Sequence, residues 1–162
     1  MKLYLAQHGE AVSEQEDPRR PLTERGKQQV SRLGVMLKRA GIKVPRVMHS
    51  GKLRAMDTAI ELAGMISGGP VTETAPLGLD PKDDPEAILA VLASETVDVM
   101  LVGHLPHLGR LAGLLLTGSG NAMPLNFQPG TIACLEGERL DPLDAPGNWT
   151  LCWMLRPDAL GV

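Results

Sequence analysis

The run Val97-Asp98-Val99-Met100-Leu101-Val102 constrains this chain more than any other stretch. Only Asp98 breaks its apolar character, and the run has the length of a strand. A strand that is apolar on both alternating faces has to be covered from both sides, as in the middle of a parallel sheet. Parallel neighbours cannot be joined by tight hairpins, so long crossovers, usually helices, must separate them. The rest of the sequence alternates accordingly. Short apolar runs lie at Leu3-Tyr4-Leu5-Ala6, ending at Gly9, at Val44 to Met48 and at Val71 to Thr74. Two more, Gly130 to Leu135 and Trp149 to Leu155, close the chain around a turn rich in Gly, Pro and Asp.

Between these runs the spacing becomes helical. Thr23 reads as an N-cap ahead of Val30, Leu33, Leu37 and Ala40, with Gly41 as the stop. From Lys52 to Ile66 the residues Leu53, Met56, Ile60, Ala63 and Ile66 define an inner face, ended by Gly68-Gly69-Pro70. Asp84-Pro85-Glu86 opens a helix with Ile88, Val91 and Leu92 facing inward. A last helix, with Pro106 in its first turn, carries Leu108, Leu111, Ala112 and Leu115 and ends near Gly118. The expected fold is α/β: a three-layer sandwich with a mostly parallel sheet of about five or six strands flanked by helices. With 162 residues, residues 1–162 are expected to form a single domain.

Composition removes several function classes. Sixteen Lys and Arg against nineteen Asp and Glu give a net charge of −3, and aromatic residues are 2% of the chain. Neither favours a nucleic-acid surface or a stacking platform. No apolar run approaches the roughly 18 residues of a membrane span, and the amino terminus lacks a signal-peptide pattern, so a cytoplasmic location is expected. Cys134 and Cys152 lack the spacing of a metal site and read as two reduced, buried thiols. No GxGxxG or P-loop pattern calls for an organic cofactor.

Three polar clusters fall at one structural place, the carboxyl end of an expected strand. His8 follows the first strand, Ser50 and Arg54 follow the second, and His104 follows the run that ends in Val102-Gly103. Ligands of open α/β sheets bind in this crevice, where helix N-termini favour anions. Taken singly, each residue has a plain structural explanation. Their convergence on one sheet edge points to a phosphate pocket.

These residues resemble the histidine phosphatase superfamily, with its phosphoglycerate mutase-like fold, and within it the short bacterial SixA-like phosphohistidine phosphatases. The resemblance rests on Leu3 through Ala11, on Arg20-Pro21-Leu22-Thr23 with Gly26, on Ser50 through Ala55 with Thr58-Ala59, and on Leu101 through Pro106 with Leu108. It implies that His8 is the nucleophile, forming a phosphohistidine that water then hydrolyses. Arg54 and His104 become catalytic phosphate ligands, with Arg20 as a further pocket arginine and Arg19 as the substitute if the loop register shifts by one. A backbone carbonyl at the turn around Gly9 is the expected acceptor for the second ring nitrogen of His8.

One position departs from the family pattern. The opening Arg-His-Gly motif reads Gln7-His8-Gly9 here. Gln7 loses the charge and planar fork of an arginine but keeps two amide donors for phosphate. The function implied is removal of phosphate from a phosphohistidine on a phosphotransfer or phosphorelay protein in signalling, slowed by Gln7. Inorganic phosphate or a similar anion is the small ligand expected in the pocket. The alternative is a non-catalytic member that binds phosphate or a phosphoprotein. No carboxylate stands where ester-cleaving branches carry a general acid, since Asp80, Asp83 and Asp84 read as turn and cap residues. That favours a phosphoramidate, whose nitrogen leaving group accepts a proton readily. A metal site on His104 and His107 is disfavoured, because no Cys or acidic residue sits beside them and Pro106 marks a helix start. His107 is expected at the rim, and His49 at a strand end without assigned chemistry.

Overall fold

In the computed structural model, residues 1–67, 72–75, 78–138 and 147–160 are described. The elements run β1 (Lys2–Gln7), α1 (Glu24–Arg39), β2 (Arg46–His49), α2 (Leu53–Ile66), β3 (Thr72–Thr74), α3 (Pro85–Ala93), β4 (Val99–Gly103), α4 (His107–Thr117), β5 (Ile132–Glu136) and β6 (Thr150–Leu155). The strands form one sheet in the order β3-β2-β4-β1-β5-β6. β3, β2, β4 and β1 are mutually parallel; β5 runs antiparallel to β1, and β6 antiparallel to β5. The expected α/β sandwich with a mostly parallel sheet is therefore the observed architecture.

β4 lies between β2 and β1 with all five residues buried, as its apolar run demands. The strand begins two residues later than the run. Val97 is exposed, and Asp98 Oδ1 instead accepts a hydrogen bond from the Lys2 backbone N–H at 2.7 Å, tying the entrance of β4 to β1.

Alternation along β1 feeds two cores. Leu3 and Leu5 face α3 and α4, packing in one cluster with Ile88, Leu92, Leu108 and Leu111. Tyr4 and Ala6 face α1 and α2, in a second cluster with Val30, Leu33, Ala59 and Leu62. These are the outer layers of the sandwich. The caps follow the residues that announced them: Thr23 Oγ1 accepts from Gly26 N at 2.9 Å and Asp84 Oδ1 from Glu86 N at 3.0 Å. Gly118 closes α4 with a φ of +76°, a conformation that suits glycine.

Several expectations need correction. The buried face of α2 is Ala55, Thr58, Ala59, Leu62, Ala63 and Ile66, while Ile60 is 52% exposed and Leu53 and Met56 are half-buried. The alanines at 55, 59 and 63 allow α2 to approach its neighbours closely, so small residues rather than large ones mark its inner stripe. Val91 is likewise only half-buried. Pro106 precedes α4 as its N-cap instead of lying within its first turn. Cys134 is buried, but Cys152 is exposed on the edge strand β6. Gly68-Gly69-Pro70, Val71 and most of the turn between β5 and β6 lie outside the described residues.

Gly26 sets how closely α1 approaches the turn after β1. A Cβ there would lie 2.1 Å from the Glu10 carbonyl oxygen, a backbone atom with little room to yield. Gly26→Ala is expected to cost about 1–3 kcal/mol through overpacking. A lower urea midpoint at unchanged m-value would show it, and an unchanged midpoint would contradict this packing.

Candidate functional site

The site forms where β1, β2 and β4 end. The His8 backbone N–H donates to Gly103 O of β4 at 3.1 Å, so the first histidine is fixed to the strand that delivers the second. On its other side, Gly130 N donates to the carbonyls of Gln7 and His8 at 3.2 and 3.0 Å. The His8 ring is oriented by its neighbour: Nδ1 lies 2.7 Å from Gly9 O. A carbonyl can only accept, so Nδ1 carries the proton and Nε2 keeps its lone pair. Arg54 Nε donates to that Nε2 at 3.1 Å.

Thr58, one turn after Arg54 on α2, links the two residues. Its hydroxyl donates to Arg54 O at 2.7 Å and accepts from Gly9 N at 3.0 Å. Gly9, the residue whose carbonyl holds the His8 tautomer, is thus held in turn by α2 through its backbone N–H. The sequence marked Thr58 only as part of a matching segment.

His104 follows β4 and is almost wholly buried. Its Nε2 lies 2.6 Å from Ser50 Oγ, and its ring centroid lies 5.0 Å from that of His8. The Ser50 oxygen also accepts from the Lys52 backbone N–H at 3.4 Å. The other ring nitrogen of His104, Nδ1, is buried and has no partner in the protein. The N-termini of α2 and α4 both open here without a side-chain cap, adding the positive ends of two helix dipoles.

Arg20 adopts a positive φ of 52° and its Nε donates to Val12 O at 3.2 Å; its charge acts on both His8 and Arg54. The exposed Arg19 pairs with Asp17 at 3.1 Å. A cleft of about 560 Å³ beside these groups is lined by Arg19, Arg20, Lys52, Leu53 and Arg54, together with Glu14 and Pro18. Lys52, which also pairs with Asp80 at 3.2 Å, and the carboxylate of Glu14 were not singled out from sequence, because long exposed charges carry no periodic signal.

Gln7 is buried at the end of β1 with its Oε1 unpartnered. His107 is not at the rim: it is fully buried in the first turn of α4, with both ring nitrogens lacking a protein partner. His49 is buried and accepts from Gly51 N at 3.0 Å. Among the described residues, no group of three or more His, Cys, Asp or Glu is placed to hold a metal ion, and no helix is long and apolar enough to cross a membrane.

Burial lowers the His8 pKa to about 4; the Gly9 carbonyl opposes this, while Arg54 and Arg20 add to it. Burial, reinforced by His8 and Arg54, brings His104 to about 3. Both rings are neutral at pH 7. The arrangement is a paired neutral imidazole site in a cationic setting, suited to a phosphoryl group.

Comparison with known proteins agrees. The chain is 30% identical to the phosphohistidine phosphatase SixA of Escherichia coli (strain K12), over 97% of this chain and 94% of the relative. The chain belongs to the histidine phosphatase superfamily. The sequence model of that superfamily's branch 1 matches residues 3–77, the half that holds His8, Arg20 and Arg54. A solved structure of the protein histidine phosphatase SixA, complexed with tungstate, superposes with a TM-score of 0.82 at 28% identity, covering 99% of both chains. A mycobacterial glucosyl-3-phosphoglycerate phosphatase shares the fold, with a TM-score of 0.70 at 16% identity over 94% of this chain and 97% of that one. Membership makes the chain a phosphatase by class.

The histidines give stability a definite pH dependence. An unfolded imidazole binds its proton near pH 6.5, whereas folded His8 and His104 do so only near 4 and 3. Between these values the unfolded chain binds more protons, so stability falls as the pH drops below about 6.5. Urea unfolding at pH 7.5 and 4.5 should show the lower midpoint at 4.5, with a smaller difference in His104→Gln. An equal or larger difference in that variant would contradict the assignment.

Proposed function

We propose that this chain, acting as a single domain over residues 1–162 in the cytoplasm, is a phosphohistidine phosphatase with His8 as its nucleophile. The observation that carries the reading is the His8 ring itself, with Nδ1–H committed to Gly9 O and the Nε2 lone pair held against Arg54. A neutral imidazole with one free lone pair is what in-line attack on phosphorus requires.

As the phosphoryl group enters, Arg54 releases His8 Nε2 and transfers its N–H groups to the phosphoryl oxygens. Nε2 bonds to phosphorus while the P–N bond to the substrate imidazole breaks, and the leaving nitrogen takes a proton from solvent. Water then attacks phosphorus, the bond to His8 Nε2 breaks, and inorganic phosphate leaves. In the Nδ1–H tautomer, His104, whose Nδ1 has no protein partner, joins the Arg20 guanidinium to complete the set of donors. Charge on the transferred group stays on its oxygens, so placement and electrostatics do most of the work. The tungstate bound by the SixA structure is a tetrahedral oxyanion of similar shape, consistent with phosphate binding here.

Gln7 offers the same group the N–H donors of its terminal amide. It lacks the charge an arginine would bring. The preferred substrate is a phosphohistidine on a phosphotransfer or phosphorelay protein, because the phosphoramidate bond needs less acid assistance than an ester. The open cleft lined by Arg19, Arg20 and Lys52 suits a side chain presented from a protein surface.

Losing one oxyanion-type donor typically costs about 10²–10³ in rate. Gln7→Arg is therefore expected to raise kcat on phosphoramidate or a phosphohistidine protein by about tenfold or more, and His8→Ala to abolish turnover. Acid-labile phosphate trapped on His8 would identify the intermediate. If Gln7→Arg gives no increase and wild type and His8→Ala are equally silent, the protein is a phosphate binder instead.

A further inference from the structure

The two cysteines of the chain, Cys134 and Cys152, come together at an irregularity in the sheet. Along the β5–β6 pairing, Cys134 is opposite Trp153 while Leu135 is opposite Leu151. Cys152 is therefore an extra residue on β6, a β-bulge. The packing on either side fixes which way it faces. Leu151 and Met154 pack against the α3/α4 core, whereas Trp153 and Leu155 pack against the α1/α2 core that contains Cys134. Since successive strand residues alternate faces, Cys152 next to Leu151 falls on the α1/α2 side. The bulge places Trp153 on that side as well. Both cysteines thus occupy one face of the sheet across adjacent strands.

One contact and one electrostatic interaction support this placement. The Cys152 thiol donates to Glu136 Oε2 at 3.7 Å, and Glu136 is two residues from Cys134 on the same face of β5. The thiols also act on one another: Cys134 is pushed up to about 12, first by burial and then by the neighbouring Cys152 thiol. Cys134 is inaccessible to solvent, whereas Cys152 is exposed. A small oxidant can therefore reach the pair through Cys152.

We infer that Cys134 and Cys152 are a thiol pair that closes reversibly to a disulfide across the β5–β6 bulge, with a small-molecule disulfide such as oxidised glutathione as the oxidant. In the first step the Cys152 thiolate, its proton given up to solvent, attacks one sulfur of oxidised glutathione. The S–S bond breaks and one glutathione thiolate leaves, taking a proton from solvent. In the second step the Cys134 thiolate attacks Cys152 Sγ in the mixed disulfide and expels the second glutathione, which is protonated in turn. Two protein thiols are oxidised and one glutathione disulfide is reduced to two thiols. Burial keeps the Cys134 thiolate scarce, so the second step is the slow one and depends on the fold holding the two sulfurs together. The bridge would link edge strand β6 to β5, the strand preceded by the Gly130–Thr131 segment that braces Gln7 and His8. The inference does not depend on the phosphatase mechanism.

The test is incubation of the folded wild-type protein in a glutathione redox buffer, acid quenching, alkylation under denaturing conditions, and intact-mass and peptide analysis. The expected product has lost two hydrogens, takes up no alkylating agent and yields one Cys134–Cys152 cross-linked peptide, reversed by dithiothreitol. Cys134→Ser should stop at a stable glutathione adduct on Cys152, and Cys152→Ser should resist modification while folded. Cys134→Ala, checked by thermal melting, is the substitute if the serine variant does not fold. Repeating the wild-type reaction in urea should lower the cross-linked fraction severalfold, because the fold no longer holds the sulfurs together. A lasting glutathione adduct in wild type, two alkylatable thiols, or equal cross-linking with and without urea would each overturn the inference.

Discussion

The site depends on one short hydrogen bond, from the Nδ1–H of His8 to the carbonyl of the next residue, Gly9. It decides which ring nitrogen keeps a lone pair, and much of the surrounding structure serves to hold that carbonyl still. Thr58 holds the same residue by accepting from Gly9 N. Gly26 allows α1 to lie against Glu10, and Thr23 both caps α1 and donates to Glu10 Oε1 at 2.8 Å. A tautomer choice in one ring is thereby anchored to two helices and, through the bond from His8 N to Gly103 O, to the central strand.

The electrostatic setting follows from the same geometry. Burial holds both site histidines neutral; Arg54 reinforces that state in both, and Arg20 in His8, by opposing further positive charge. A net charge of −3 therefore describes the whole surface but not the cleft. Around the parallel-strand ends, Arg20, Lys52 and Arg54 combine with two uncapped helix N-termini. Gln7 adds a neutral amide to this group at a position whose backbone N–H donates to Thr131 O and whose carbonyl accepts from Gly130 N.

Much of the fold was legible in the sequence because its signals are local. The apolar run of β4, Thr23 and Asp84 as caps, and Gly118 as a stop each act within a few residues. The errors arise where a tertiary neighbour decides. Ile60 matches a helical stripe, but the close approach permitted by Ala55, Ala59 and Ala63 rotates α2 and leaves Ile60 in solvent. His107, three residues after His104, suggested a rim position, yet the start of α4 turns it fully inward. Cys152 reads as an apolar strand residue, yet it is exposed at the bulge of the edge strand β6.

The sequence by itself determined the layered α/β architecture, the order of the elements and the family, because periodicity, caps and spaced motifs are properties of the chain in one dimension. It also placed His8, Arg54 and His104 at strand ends, where such sheets bind ligands. The tertiary structure decided which partner each of these groups faces. Ser50 meets His104 across a separation of fifty-four residues, and Arg54 meets His8 across forty-six. It also brought the Arg20 charge close enough to act on both His8 and Arg54. Those choices set the protonation and orientation of a reactive ring, and they depend on distances that exist only after the strands have paired.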